Sequence, residues 1–334
     1  MASIKKAKNT ASKFSEVIAD IINTSICEGV FPSQLKSAKV VPVHKGGSKV
    51  DIENYRPISL LSAFSKIYEK VMYTRVYDFL SQNCILNENQ FGFRKGRSCE
   101  QALLTAQNEI LNSLGKKQIS LLLLIDFSKA FDMVDHTILL EKLHHYGIRG
   151  IAHAWFKSYL TGRTQYVALD DKKSSLRDMI YGVPQGSILG PLLFIIYIND
   201  IPNIVDISTF IMYADDANIL ISGSTVAEIE EKFNSLSKKL EIWVSTNQLA
   251  LNLKKTNYMI FSNSKMHDMP FKPKIFNHFL ERKFSSRFLG VIINENLTWN
   301  ENILAIKAKM SRYVGILYKL KKYVAPLSKT EYIL

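Results

Sequence analysis

Ile119 to Ile125 is an apolar run that stops at Asp126. A run this short and this apolar suits a strand buried on both faces, which requires a sheet with layers on either side. An acid just after a strand serves either as a helix N-cap or as a rigidly held site carboxylate. A second acidic strand end lies downstream. Phe210-Ile211-Met212 leads into Tyr213-Ala214-Asp215-Asp216, and Ala217-Asn218-Ile219-Leu220-Ile221 leads out. Two β-prone runs meeting at adjacent acids predict a hairpin with both carboxylates at its tip. Taken alone, the pair is ordinary turn chemistry. Electrostatics opposes that reading. Two carboxylates about 4 Å apart repel by about 4 kcal/mol at an effective dielectric near 20, which in so apolar a segment calls for a cation.

Composition narrows the partners. The 334 residues are enough for two or three subdomains and a sizeable core, and 47% hydrophobic content excludes a disordered chain. Lys and Arg number 43 against 30 Asp and Glu, a net charge of +13. That excess implies a polyanion partner, nucleic acid first and an anionic membrane surface second. Eight of the thirteen excess charges lie between Lys265 and Leu334. Cys27, Cys84 and Cys99 are far apart with no CxxC spacing. They argue against a disulfide framework and structural zinc, and fit a reducing compartment. The start has no apolar signal-peptide core, and the run from Ile188 to Ile198 is broken by Gly190-Pro191. It is shorter than the roughly 20 residues a bilayer requires. The expectation is an intracellular protein of nucleus or cytoplasm with no membrane partner.

In order, residues 10–28 read as a helix with Phe14, Val17, Ile18, Ile21 and Ile22 on one face. Lys39 to Val43 is a strand, and His44-Lys45-Gly46-Gly47-Ser48 a basic turn or a phosphate-binding loop. Pro57 is expected just ahead of a long helix reaching about Gln82, with Arg56 at its N-terminus and Leu61, Phe64, Tyr68, Val71, Val76 and Phe79 buried. Gln90 to Ser98 interleaves aromatics with Arg94, Lys95 and Arg97, which suits either a nucleic-acid backbone or a solvated loop. Helices follow at about 136–147 and 150–161, then a hairpin around Asp170-Asp171. Gly182-Val183-Pro184-Gln185-Gly186-Ser187 opens an apolar helix, and Thr225 to Glu228 is a capping box. Phe288 to Ile293 is a short strand, and a basic amphipathic helix runs from about Asn300 to Val324, with one break allowed. The apolar end, Tyr332-Ile333-Leu334, reads as a truncated element.

If Asp126 and the hairpin tip lie on neighbouring antiparallel strands, three carboxylates converge. Hard oxygen ligands suit Mg²⁺ better than zinc, and two such ions clamp an in-line phosphoryl displacement. The ordered motifs then carry a resemblance. Ile125-Asp126-Phe127-Ser128-Lys129-Ala130-Phe131-Asp132, Gly182 to Ser187 and Tyr213 to Asp216 resemble the A, B and C motifs of reverse transcriptases. Tyr55 to Leu61, Phe64 to Lys70, Gln90 to Arg94, Leu192-Leu193-Phe194, Asn199-Asp200-Ile201 and Phe288-Leu289-Gly290 resemble those of non-LTR, LINE-type retrotransposons of the Jockey-like group. The resemblance spans roughly residues 25–295.

It implies an α+β right-hand polymerase with fingers, palm and partial thumb, its antiparallel palm sheet packed on helices. Fingers would occupy 1–118 and palm 119–295, with 136–181 inserted between motifs A and B. The thumb would begin at 296–334 and be cut short. The implied activity is RNA-directed DNA synthesis, in which a primer 3′-hydroxyl attacks a dNTP on an RNA template. Two Mg²⁺ ions, with Mn²⁺ as substitute, would be held by Asp126, Asp215, Asp216 and the Phe127 carbonyl. Phe131 would exclude the 2′-hydroxyl. Lys45 and Arg56 would hold the triphosphate, Gln185 and Gly186 line the nucleotide and template, and Lys255 face the leaving pyrophosphate. Arg94, Arg97, Lys307, Lys309 and Arg312 would follow the nucleic-acid backbone. RNA template, DNA primer or target, and dNTPs are the implied partners. Such elements usually carry an endonuclease, and no segment of this chain suggests one. A non-catalytic remnant that binds nucleic acid is the alternative, and an RNA-synthesising polymerase a third reading that Phe131 opposes.

Overall fold

The computed structural model describes residues 2–264 and 271–320, with side chains described from Phe14 onward. Helix α1 (Ala2–Glu28) leads to strands β1 (Ser37–His44) and β2 (Tyr55–Leu60), then helices α2 (Ala63–Gln82) and α3 (Cys99–Gly115). Strand β3 (Ile119–Asp126) precedes α4 (His136–His145), α5 (Gly150–Leu160), β4 (Thr164–Leu169), β5 (Lys172–Lys173) and β6 (Arg177–Asp178). Then come α6 (Leu189–Tyr197), β7 (Thr209–Tyr213), β8 (Asp216–Gly223), α7 (Val226–Thr246) and β9 (Asn257–Phe261). The short strands β10 (Lys274–Ile275), β11 (His278–Phe279) and β12 (Glu281–Arg282) lead to the hairpin β13 (Ser285–Phe288) and β14 (Val291–Asn294), and then α8 (Asn300–Leu320).

The central sheet has the order β12-β9-β3-β8-β7. Its middle strand β3 pairs antiparallel with both β8 and β9. Alternation along β3 explains the two cores. Leu121, Leu123 and Ile125 pack into the cluster that contains α6 and α7 residues such as Phe194 and Phe233. Leu122 and Leu124 pack with Ala102, Ala106 and Ile110 of α3 and with Phe288 and Ile293. The apolar run is thus buried on both faces, as a layered sheet requires.

A second sheet has the order β2-β1-β4-β5, with β6 also on β4. β1 pairs parallel with β4. The hairpin around Asp170-Asp171 therefore extends the sheet of β1 and β2.

Four expectations need correction. Residues 55–60 form a strand, so Arg56 faces Val43 across the β1–β2 hairpin and is not at a helix N-terminus. Pro57 is accommodated opposite Pro42, and the helix starts later, capped by Ser62 accepting from Ser65 N at 3.1 Å. The buried face of α2 is Ser65, Tyr68, Glu69, Met72, Val76, Tyr77 and Leu80, while Phe64 and Phe79 reach solvent. A hydrophobicity count could not anticipate a buried Ser and Glu. Residues 285–294 form a hairpin rather than one strand, because Leu289 and Gly290 both take positive φ (+47° and +89°). The capping box at α7 is half formed: Thr225 Oγ1 accepts from Glu228 N, but Glu228 reaches back to Ser224 N.

Helix α1 begins earlier than expected and leaves Phe14, Val17 and Ile21 exposed, with Ile22 buried. Helix α8 is unbroken over its described length and exposes its apolar stripe, including Ile303, Ile306, Met310 and Leu317. Lys321, Lys322 and Tyr332-Ile333-Leu334 lie outside the described residues.

Candidate active site at the ends of the central strands

The register of β3 on β8 ends with Asp126 opposite Asp216. Asp126 lies on the sheet face of Leu122 and Leu124, and Asp216 on that of Asn218 and Leu220, so by strand alternation both face α3 and the β13–β14 hairpin. Asp215 instead occupies the two-residue turn with Ala214, whose φ is +58°. A shallow cavity of ≈ 130 Å³ opens there, lined by Asp126, Asp216 and Lys255 on one side and by Arg287, Phe288 and Leu289 on the other.

Burial, reinforced by Asp215 and Asp126, pushes the Asp216 carboxyl up to about 6. Asp215 is raised too, by burial and by Asp126, with its own backbone N–H and Arg56 pulling the other way. Both side chains also reach solvent, which screens part of this repulsion. Among the described residues, no three acidic, histidine or cysteine side chains are grouped tightly enough to hold one ion as they stand. The cross-strand pair and the turn carboxylate nonetheless lie close enough together that Asp126 raises both Asp215 and Asp216. The donors are all carboxylate oxygens that repel one another, which suits a hard divalent cation.

The backbone around Asp126 is held by the segment after α7. Asn252 N donates to Asp126 O at 2.8 Å, Asp126 N to Thr256 Oγ1 at 3.4 Å, and Ser128 N to Ala250 O at 2.8 Å. The same segment sets Lys255 Nζ 3.8 Å from Asp126 Oδ2. Phe127 directs its side chain into the core. Lys45 and Arg56 project from the exposed β1–β2 hairpin, where Lys45 N donates to Asn54 O at 2.9 Å. Arg56 is near enough to Asp215 to oppose part of the rise of its carboxyl.

Phe131 stacks on Phe194 of α6 (centroids 4.7 Å apart) and meets Phe93 edge-on at 6.3 Å. The loop before α6 is locked beside it. Val183 N donates to Phe131 O at 2.9 Å, Gly182 N to Val134 O at 2.8 Å, and His136 Nε2 meets Gly182 O at 2.7 Å. A Cβ on Gly182 would lie 2.9 Å from the Asp132 backbone, and one on Gly186, at φ +110°, 2.8 Å from Ser59 O. Gln185 Nε2 donates to Asp132 Oδ1 at 3.1 Å. Asp132 and His136 were not singled out as site residues by sequence reading. Asp132 was visible only as the last residue of a motif.

The loop from Gln90 has a different use from the one expected. Phe91 N donates to Met212 O and Met212 N to Asn89 O, so this segment lies along β7. Arg94 turns inward to the carbonyls of Leu86 and Asn87 at 3.2 and 2.7 Å. Arg97 pairs with Glu88 and lies over Phe91. Both arginines are thus engaged in holding the loop, which does not favour the expected backbone contacts. Lys307, Lys309 and Arg312 are exposed on α8, away from the carboxylates along the chain.

The chain matches the family described as reverse transcriptase (RNA-dependent DNA polymerase) across residues 43–293. It is 30% identical over 302 residues to a probable RNA-directed DNA polymerase from transposon BS of Drosophila melanogaster, covering 86% of this chain and 33% of that protein. It is 26% identical over 324 residues to the RNA-directed DNA polymerase from mobile element jockey of the same species, covering 94% and 34%. The chain thus spans about a third of the length of these curated relatives. Among solved structures, apo telomerase from Candida tropicalis, truncated from its C-terminal domain, superposes with a TM-score of 0.52 at 14% identity. That alignment covers 81% of this chain and 55% of the telomerase chain. At such identity the likeness shows the fold alone, a right-hand polymerase. No described helix is long and apolar enough to cross a membrane.

Proposed function

This chain belongs to the reverse transcriptase family, and from that premise we propose that it is the RNA-directed DNA polymerase of a LINE-type, Jockey-like non-LTR retrotransposon. The observation that carries the reading is the Asp126–Asp216 register, with Asp215 in the adjoining turn. The substrates are an RNA template, a DNA primer or target end, and dNTPs.

Asp126, Asp215 and Asp216, with the Phe127 carbonyl, are the residues that would hold Mg²⁺, or Mn²⁺ in its place. When bound, the divalent ions supply Lewis-acid stabilisation of charge on phosphoryl oxygens. The protein's own part is mostly positioning and electrostatics. Lys45 and Arg56 hold the triphosphate from the finger hairpin, and Lys255 stands beside Asp126, where it can neutralise departing pyrophosphate. Phe131, backed by Phe194, narrows the space for the sugar and excludes a 2′-hydroxyl. Gln185 and Gly186 line the nucleotide. The β13–β14 hairpin bounds the cavity on the primer side, and Lys307, Lys309 and Arg312 of α8 follow the duplex backbone.

Extension of a DNA primer on an RNA template with Mg²⁺ tests this reading. Template-dependent incorporation of dNTPs is the expected result. Nucleic-acid binding without any incorporation would favour the non-catalytic alternative.

A further inference from the structure

Two charged side chains are buried behind the site, and the chemistry above uses neither: Glu69 of α2 at 0% exposure and Arg163 at 1%. Glu69 spans two elements. Its Oε1 accepts from Ser65 Oγ at 3.0 Å, and its Oε2 accepts from Ile188 N at 2.6 Å and Leu189 N at 3.4 Å. Those two amides open α6, directly after the Gln185-Gly186 loop. The first N–H groups of a helix have no partner within it, and its N-terminus favours an anion. A carboxylate from a different helix meets both needs here.

Burying a carboxylate is costly unless its oxygens are hydrogen-bonded, so a core that needed only packing would carry an apolar residue at this place. The two oxygens of Glu69 accept all three of these hydrogen bonds, and a buried arginine lies in the same neighbourhood. Arg163 stacks its guanidinium 4.8 Å from the ring centroid of fully buried Tyr159 and donates to Tyr159 O. Burial first, then Glu69, raises the Tyr159 phenol, while Arg163 opposes, which places all three groups in one buried neighbourhood.

The loop ahead of α6 is pinned on its other side to β2. Ser59 N donates to Gln185 O at 2.7 Å, and Ser187 Oγ bridges Pro184 O and Gly190 N at 2.8 and 2.9 Å. Gln185 and Gly186 thus hang between Ser59 and the helix start that Glu69 holds. We propose that Glu69 is a positioning residue for nucleotide binding: by anchoring the first turn of α6 from α2, it fixes Gln185 and Gly186 over the finger strand. The effect on nucleotide binding rests on the polymerase reading given above.

The test compares wild-type protein with Glu69→Leu and Glu69→Gln. Amide hydrogen exchange at Ile188 and Leu189 is expected to accelerate about tenfold in Glu69→Leu, with β3 and β8 unchanged. Glu69→Gln, which keeps one acceptor, is expected to fall between. In primer extension the KM for dNTP is expected to rise about tenfold in Glu69→Leu, with kcat within about threefold and primer affinity unchanged, and Glu69→Gln to restore part of the loss. Should Glu69→Leu not fold, Glu69→Gln supplies the same comparison. Wild-type exchange at Ile188 and Leu189 in a folded variant overturns the proposal, as does a fall in kcat alone. A wild-type protein that extends no primer would sink the polymerase reading, while the exchange measurement still decides whether Glu69 holds the loop.

Discussion

Gln90 and Ala214 are 124 positions apart, yet the Gln90 side-chain oxygen accepts a hydrogen bond from Ala214 N at 3.1 Å while also accepting one from Gly92 N at 2.8 Å. The acidic turn is therefore held by a loop that precedes it by more than a hundred residues. Gly92 is required at this contact, since a Cβ there would lie 2.1 Å from Ala214 N. Gln90→Met removes the shared acceptor and strands two buried amides, each worth about 1–3 kcal/mol. Chemical denaturation is expected to show a loss of about 2–6 kcal/mol, with primer extension falling in parallel. Unchanged stability would mean that the turn stands without the clasp. Gly92→Ala is expected to be the more damaging of the two.

Phe131 packs on Phe194 and, in the proposed function, faces the nucleotide sugar, and one substitution probes both. Its ring stacks on Phe194, so Phe131→Ala should cost about 3 kcal/mol of stability through the cavity it leaves. In the proposed role, the same change opens space beside the nucleotide sugar. Ribonucleotide incorporation relative to deoxyribonucleotide is expected to rise at least about tenfold. Equal sugar selectivity in a folded variant would remove Phe131 from the role assigned to it.

The sheet was legible because its signals are local. The run ending at Asp126 and the hairpin at Asp215-Asp216 state their own strand period, and the capping and turn residues around them sit within a few positions. What escaped was long-range. Nothing in Tyr55-Arg56-Pro57 says that β1 will pair with it and keep Arg56 on a strand. The buried Glu69 looks like a surface residue until Ile188 is placed beside it. The basic, aromatic stretch from Gln90 to Arg97 suggested nucleic acid, but its cations are largely consumed by Glu88 and by backbone carbonyls.

Burial lowers the His136 imidazole below its usual value of 6.5, with the Gly182 carbonyl and Asp135 opposing and Arg163 adding to the shift. The fold therefore prefers neutral His136, whose Nε2 meets Gly182 O at 2.7 Å. Its contribution to stability is fully present above about pH 6.5 and is lost as pH falls below that value, where the unfolded chain takes up the proton first. Melting temperature between pH 7.5 and pH 5.5 is expected to fall more steeply in the wild type than in His136→Asn. Parallel curves would show that His136 does not titrate in the fold.

Asp132 faces the amide of Gln185 across 3.1 Å and is raised by burial, with Gln185 and Lys129 opposing. An ionised carboxylate accepts only, so it holds the amide with its nitrogen inward. Asp132→Ala releases that orientation. The KM for dNTP is expected to rise about tenfold with a smaller change in kcat. A pure kcat effect would indicate that Asp132 acts on the carboxylates instead.

In the proposed function, Asp126 and the Asp215-Asp216 turn are the chemical centre of a polymerase. Primer extension on an RNA template by Asp215→Asn tests it most directly, with circular dichroism confirming the fold and filter binding confirming template affinity. Extension is expected to fall by at least about 10³-fold while RNA binding stays within about threefold. Synthesis at the wild-type rate by the folded Asp215→Asn variant would contradict the account.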